Sequence, residues 1–285
     1  MLSDYLNVLK PKETSLLVFI GACSALVAAA AMGKPFPVAT FILTVAAIIC
    51  GSAGANGLTN YLDRDVDALM SRTCKRALPS GRIKPAWKVL PMIAVLIVAG
   101  LIMAWILSPV CFTIGLVGIL ASGILRKTVS CTYFGIIAGS SPVLIGWYAI
   151  SQPPALTAMP VLFFCLIAAW TPLHVWTLML SNRADYEGAG LHYFPLSWPD
   201  KKVIILLAVL SLALSAAGIL IYFLSGFLHW LYLSVAVLMS LLMVCASIRL
   251  LVKPSSRNAW MVYKLSAFPY LGIIFLVMVI DSWLL

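Results

Sequence analysis

The chain has 285 residues, of which 63% are hydrophobic and 10% charged, and its mean hydropathy is +1.06. A soluble domain cannot hide that much apolar surface, and long continuous apolar runs exclude the short alternating segments of a transmembrane barrel, so the composition predicts an all-α polytopic membrane protein. A net charge of +10 raises nucleic acid as a partner, but no basic amphipathic arm or aromatic-basic RNA motif accompanies it, and nucleic acid is set aside.

In chain order, the polar start MLSDYLNVLKPKETS does not fit a cleaved secretory signal and reads as an interfacial segment leading into the membrane. Apolar spans follow at 14–32, 38–62, 87–107, 110–125, 131–150, 156–180, 203–224, 228–248 and 262–284. That pattern predicts nine helices in a single domain covering residues 1–285, with a short fourth span. With the N-terminus inside, every lysine and arginine except Lys34 falls on one side, which predicts a plasma-membrane protein with a cytoplasmic N-terminus and its chemistry on the cytoplasmic face. The seven cysteines form no CxxC pair and read as small, buried, reduced thiols.

The most informative stretch is Asn56 to Pro79, NGLTNYLDRDVDALMSRTCKRALP. On a continuing helix Asp63 and Asp67 share a face about one turn apart, Asn56 and Asn60 lie near the same stripe, and Asp65 points away. Converging carboxylates repel unless a cation lies between them, and hard oxygen donors at this spacing suit Mg²⁺, which usually brings phosphate with it. Arg72, Lys75 and Arg76 follow at positions suited to anionic oxygens. Taken alone, those bases are also what a solvated loop under the positive-inside rule carries. Acids ending an apolar span are costly and point to function.

A second acidic cluster, SNRADYEGAG, contains Asn182, Arg183, Asp185, Tyr186 and Glu187 and is reached through Trp170-Thr171-Pro172-Leu173-His174-Val175-Trp176. Pro172 is expected to kink or loosen its helix. His174, within a span, needs a polar partner, a ligand or a cavity. The two tryptophans read as packing, or as an apolar wall shielding a reactive cation. His192 and His229 are weaker candidates, one in a loop and the other near the opposite face. Arg126 and Lys127, at the joint before the fifth span, obey the positive-inside rule and could also hold diphosphate across from the acids. The last span, Tyr263 to Asp281, is assigned no chemistry. A transporter using the acids as a cation or proton site is the alternative from another class; it predicts polar residues through the bilayer, whereas here they collect at one face.

These residues carry a resemblance. The chain resembles the UbiA superfamily of intramembrane prenyltransferases, marked by N-x-x-x-D-x-x-x-D, here Thr59-x-x-x-Asp63-x-x-x-Asp67 with threonine in place of the leading asparagine. Within it, the chain is similar to the branch that uses heme as acceptor. D-R-D-x-D-x-x-M-x-R-T-x-x-R-x-L-P is met by Asp63 to Pro79, and W-T-P-P-H-F-W by Trp170 to Trp176 with Leu173 and Val175 substituted. D-Y-x-x-A-G is met by Asp185 to Gly190 with Pro195 following, and R-K-T with G-x-x-P-x-x-I-G-W by Arg126 to Trp147. The resemblance implies helices around a central cavity with an aromatic-lined chamber for the isoprenoid. It also implies transfer of farnesyl from farnesyl diphosphate to a vinyl group of heme B with addition of water. Mg²⁺ would lie on Asp63, Asp67, Asp185 and Asn56. The diphosphate would lie on Asn60, Arg72, Lys75, Arg76, Arg126, Lys127 and Arg183, and heme against His174. A heme A synthase is the implied downstream partner. Quinone precursors, chlorophyll-type rings or glycerol phosphate remain alternative acceptors.

Overall fold

In a bilayer each backbone polar group must be satisfied within its own segment, so the long apolar runs fold as helices. The computed structural model describes residues 2–33, 36–124, 128, 130–153 and 157–284. In chain order these comprise α1 (Leu2–Val8), α2 (Pro11–Ala31), α3 (Val38–Leu62), α4 (Arg64–Asp67), α5 (Leu90–Leu107, entered by a 3₁₀ turn at Ala86–Val89) and α6 (Pro109–Gly123). They continue with α7 (Ser130–Ile150), α8 (Ala158–Ser181), α9 (Arg183–Gly188), α10 (Asp200–Ser225), α11 (Trp230–Val252), α12 (Ser256–Leu265) and α13 (Leu271–Leu284). Among the described residues no strand occurs.

Among the described residues, eight helical segments are long and apolar enough to cross a membrane, one fewer than the nine expected. The difference lies at 110–125, where α6 has only 15 residues, against about 20 for a helix crossing the hydrocarbon core. Ser108 starts α6 by accepting from the Cys111 amide at 3.1 Å, and Pro109 suits the first helical position. Pro142 and Pro172 lie inside α7 and α8, which both run on through them. The break comes instead in the last span, where a five-residue π segment, Ser266–Tyr270, separates α12 from α13.

The helices form a closed arrangement. α2 packs on α3, α7 and α13; α8 packs on α7, α10 and α12; α13 also meets α11. Small residues let these backbones approach closely. A Cβ added at Gly146 of α7 would lie 2.1 Å from the Gly21 carbonyl oxygen of α2, and one at Gly100 of α5 would lie 2.7 Å from the Gly51 nitrogen of α3. An apolar cavity of about 120 Å³ opens between α2, α3, α5, α6 and α7, with Asn56 on its wall. Its lining is glycine, alanine, serine and aliphatic side chains, not the aromatic lining expected, because the large rings are used elsewhere. Of the cysteines, Cys23 and Cys111 are buried, whereas Cys165 and Cys245 lie exposed on the outside of the bundle.

Candidate active site

α3 ends at Leu62, but the helical register passes through the joint: Asp63 N donates to the Thr59 carbonyl at 3.0 Å and Asp67 N to the Asp63 carbonyl at 2.8 Å. The spacing therefore does what it predicts. Asp63 and Asp67 are buried, at 3% and 1% exposure, while the Asp65 side chain is 81% exposed and pairs with Arg64 at 3.2 Å. Arg76 Nη1 donates to Asp67 Oδ2 at 2.8 Å, and Thr73 Oγ1 donates to the Asp67 carbonyl at 2.8 Å. Removing the guanidinium from such a pair would leave an uncompensated buried charge.

Asn60, three residues before Asp63, is also buried; its Nδ2 donates to the Val8 carbonyl at 3.0 Å and its Oδ1 has no hydrogen-bond partner. The N-terminal segment thus reaches the acids. Lys10, in the left-handed region at φ 49° between α1 and α2, donates to Thr59 Oγ1 at 3.1 Å, so the threonine in the motif's asparagine position is met by a lysine. Asp4 accepts from Arg82 Nε at 2.8 Å. A polar pocket results, lined by Lys10, Asn60, Arg72, Lys75, Arg76 and Arg82 among others. The structure assembles most of the expected anion-facing residues there and adds Lys10 and Arg82, whose positions near a membrane surface gave no separate signal in sequence.

Asp185 crosses the cleft, but not to a cage of acids. Its carboxylate accepts from the backbone N–H of Ser71 at 2.6 Å and of Arg72 at 3.2 Å, so it holds the basic loop in place. Burial works to raise its carboxyl, but these hydrogen bonds, with the nearby Arg72 charge, hold it below the usual carboxylate range. Next to it, Tyr186 is buried and its hydroxyl accepts from Arg72 Nη2 at 3.4 Å; burial pushes this phenol up. Arg183 is turned to the loop's own acids, donating to Glu187 at 3.0 Å, to the Leu196 carbonyl at 3.1 Å and to Asp200. It joins α9 to α10. Asn56 Nδ2 donates to Thr14 Oγ1 at 3.0 Å, on the wall of the apolar cavity. Arg126 and Lys127 lie outside the described residues. Among the described residues no three His, Cys, Asp or Glu side chains converge as a ready metal cage.

His174 finds partners that sequence reasoning did not assign. Its ring lies against Trp170 (centroids 4.7 Å, 16°) and Tyr263 (4.6 Å, 33°), and Nδ1 lies 3.1 Å from Ser266 Oγ. Trp260 extends the stack at 4.8 Å from Tyr263. Trp176 is packing, its Nε1 donating to Thr132 Oγ1 at 3.2 Å.

Residues 17–271 match the model of the UbiA prenyltransferase family. The protoheme IX farnesyltransferase of Desulforudis audaxviator is 32% identical over 98% of this chain and 88% of its own length. Protoheme IX farnesyltransferase 1 of Picrophilus torridus is 35% identical over 81% of this chain and 78% of its own. Among solved structures, a digeranylgeranylglyceryl phosphate synthase superposes with a TM-score of 0.79 at 18% identity, covering 100% of this chain and 99% of that one. An Archaeoglobus fulgidus UbiA homolog bound to DMAPP and Mg²⁺ gives 0.69 at 14% identity, covering 99% and 98%. The chain belongs to the UbiA prenyltransferase family, in its protoheme IX farnesyltransferase branch.

Proposed function

We propose that this chain, as a single domain over residues 1–285, transfers the farnesyl group of farnesyl diphosphate to a vinyl group of heme B with addition of water, giving heme O and diphosphate. The observation that carries the donor half is the buried Asp63 and Asp67 pair beside the pocket of Lys10, Arg72, Lys75 and Arg76. The acceptor half is supported by the ring stack around His174 and by the relatives' shared activity.

Asp63, Asp67 and the orphaned amide oxygen of Asn60 form a hard donor set that fits Mg²⁺, which when bound would neutralise the leaving diphosphate and weaken the allylic C–O bond. Lys10, Arg72, Lys75 and Arg76 bind the remaining phosphate oxygens and stabilise the negative charge that grows on them. Asp185 orders the Ser71–Arg72 backbone so that this basic loop closes on the donor. The apolar cavity below Asn56 takes up isoprenoid and excludes water from the ionising carbon. In balance, the C–O bond breaks with its electron pair going to diphosphate, the vinyl group forms the new C–C bond, and water adds to the adjacent carbon with loss of a proton.

The distribution of lysines and arginines supports a cytoplasmic position for the Asp63 end of the bundle. On this reading the protein is a multi-pass plasma-membrane enzyme with a cytoplasmic N-terminus, whose product a downstream heme A synthase consumes. The test is purified protein in detergent with heme B, farnesyl diphosphate and Mg²⁺, with and without EDTA, read by mass spectrometry. A magnesium-dependent mass gain equal to farnesyl plus water is expected. Diphosphate release only with another acceptor would overturn the acceptor, and no turnover with any acceptor in folded protein would favour a transporter.

A further inference from the structure

The sequence assigns the last span no chemistry, yet it is where the bundle departs from regular helix. α12 ends at Leu265 and gives way to Ser266–Tyr270, with Ala267 at a non-helical ψ of −134° and Pro269 inside. Such π-type interruptions recur at functional sites because they free and re-aim backbone and side-chain groups. Here the first residue of the interruption, Ser266, is fully buried and touches two residues of α8: its carbonyl accepts from Trp170 Nε1, and its hydroxyl meets His174 Nδ1 at 3.1 Å.

The direction of that second bond follows from a third. Ser266 Oγ also lies 2.9 Å from the Tyr263 carbonyl. Two oxygens at that distance repel unless a proton lies between them, and a carbonyl has none to give, so the single hydroxyl proton points at Tyr263. Toward His174 the hydroxyl can only accept. The imidazole is therefore the Nδ1–H tautomer, and Nε2 keeps its lone pair. The Trp170 and Tyr263 rings both lie against the imidazole, which leaves its edge, in the ring plane where that lone pair lies, as the place for a ligand to meet it.

We propose that Ser266 is a positioning residue for the acceptor: it fixes the proton of His174 on Nδ1 so that Nε2 coordinates the iron of the bound porphyrin. This rests on the heme reading above. Histidine ligands to metals commonly donate their second N–H to an oxygen that sets their tautomer and orientation and raises their basicity; removing that oxygen typically costs about 10–100-fold in metal affinity.

The test uses purified full-length wild type, Ser266→Ala, the isosteric pair Ser266→Thr and Ser266→Val, and His174→Ala, each titrated with heme B and followed by Soret absorption and by resonance Raman of the iron–ligand region. Farnesyl diphosphate binding in each variant reports the fold. The expected result is a histidine-ligated heme spectrum in wild type that Ser266→Thr keeps, with affinity falling about 10–100-fold in Ser266→Ala and Ser266→Val and the ligated signature lost in His174→Ala. A wild-type signature that Ser266→Ala leaves unchanged, or equal loss in the threonine and valine variants, overturns this proposal alone. Absence of any heme signal in wild type that still binds farnesyl diphosphate overturns the acceptor reading and this proposal with it.

Discussion

The charged end of the bundle and the ring stack inside it solve the same problem, how to hold a polar group at the edge of hydrocarbon, in opposite ways. Around Asp63 and Asp67 the solution is charged groups held by an ion pair or by charge-assisted hydrogen bonds: Arg76 on Asp67, Lys10 on Thr59, Asp185 on the Ser71 and Arg72 amides. Around His174 it is a neutral hydrogen bond and two flat faces. The difference matches the substrates assigned to the two regions, a multiply charged diphosphate and a flat, largely apolar ring. It teaches that the two halves of the reaction can be damaged separately.

The largest effect is expected at the buried acids. Asp67→Asn removes the charge that Arg76 compensates and a hard donor at the same time, and should lower kcat by at least about 10²–10³-fold, the scale of losing one preorganised electrostatic contact. Heme binding, read optically, should not change. Next, Arg76→Gln leaves the 1%-exposed Asp67 without its guanidinium. Turnover should fall by about 10–100-fold together with weaker farnesyl diphosphate binding, the order of effect when a hydrogen bond to a charged group is lost, and calorimetry with the diphosphate checks it.

Asp185→Asn sharpens the comparison, since it acts on the donor half only through the loop. A roughly tenfold rise in KM for farnesyl diphosphate is expected, with kcat less affected, as for loss of a charge-assisted hydrogen bond. Its pH behaviour has a definite sign. The folded carboxyl lies below its ordinary value of 3.8, so its contribution is fully present above that value and is lost only as the pH falls through the lowered one. Between roughly pH 5 and 8 this tether should therefore add no pH dependence to KM. The smallest effect belongs to Asp65→Asn, an exposed side chain paired with Arg64. Turnover within about twofold of wild type is expected, and a larger loss would show that the acidic face has been drawn wrongly.

These predictions differ in how much of their basis could be seen in the chain itself. The spans were legible because hydrocarbon demands long apolar helices, and the helix ends differ from the expected ones by a few residues. The exception is α6, where an apolar run of near-spanning length hides a helix of 15 residues. The sorting of Asp63 and Asp67 from Asp65 was legible because a single period controls all three. Asp185 was visible as an acid but not as a loop support, since a carboxylate reaching a backbone N–H more than a hundred residues away leaves no pattern at either end. Lys10 was concealed by the positive-inside rule, which explains any lysine at that face without further cause. Ser266 was hidden more completely. A serine in an apolar span is ordinary, and only the interruption of the last helix brings it to His174.

Whether the donor and acceptor regions are separate is decided by a paired assay of Asp67→Asn and His174→Ala: heme B binding by Soret titration, and magnesium-dependent farnesyl diphosphate binding by calorimetry, on the same preparations. A crossed result is expected. Asp67→Asn should keep heme and lose the magnesium-dependent diphosphate, and His174→Ala should keep the diphosphate and lose the ligated heme. If either substitution removed both ligands from protein that is still folded, the two regions would not be separate halves of one site.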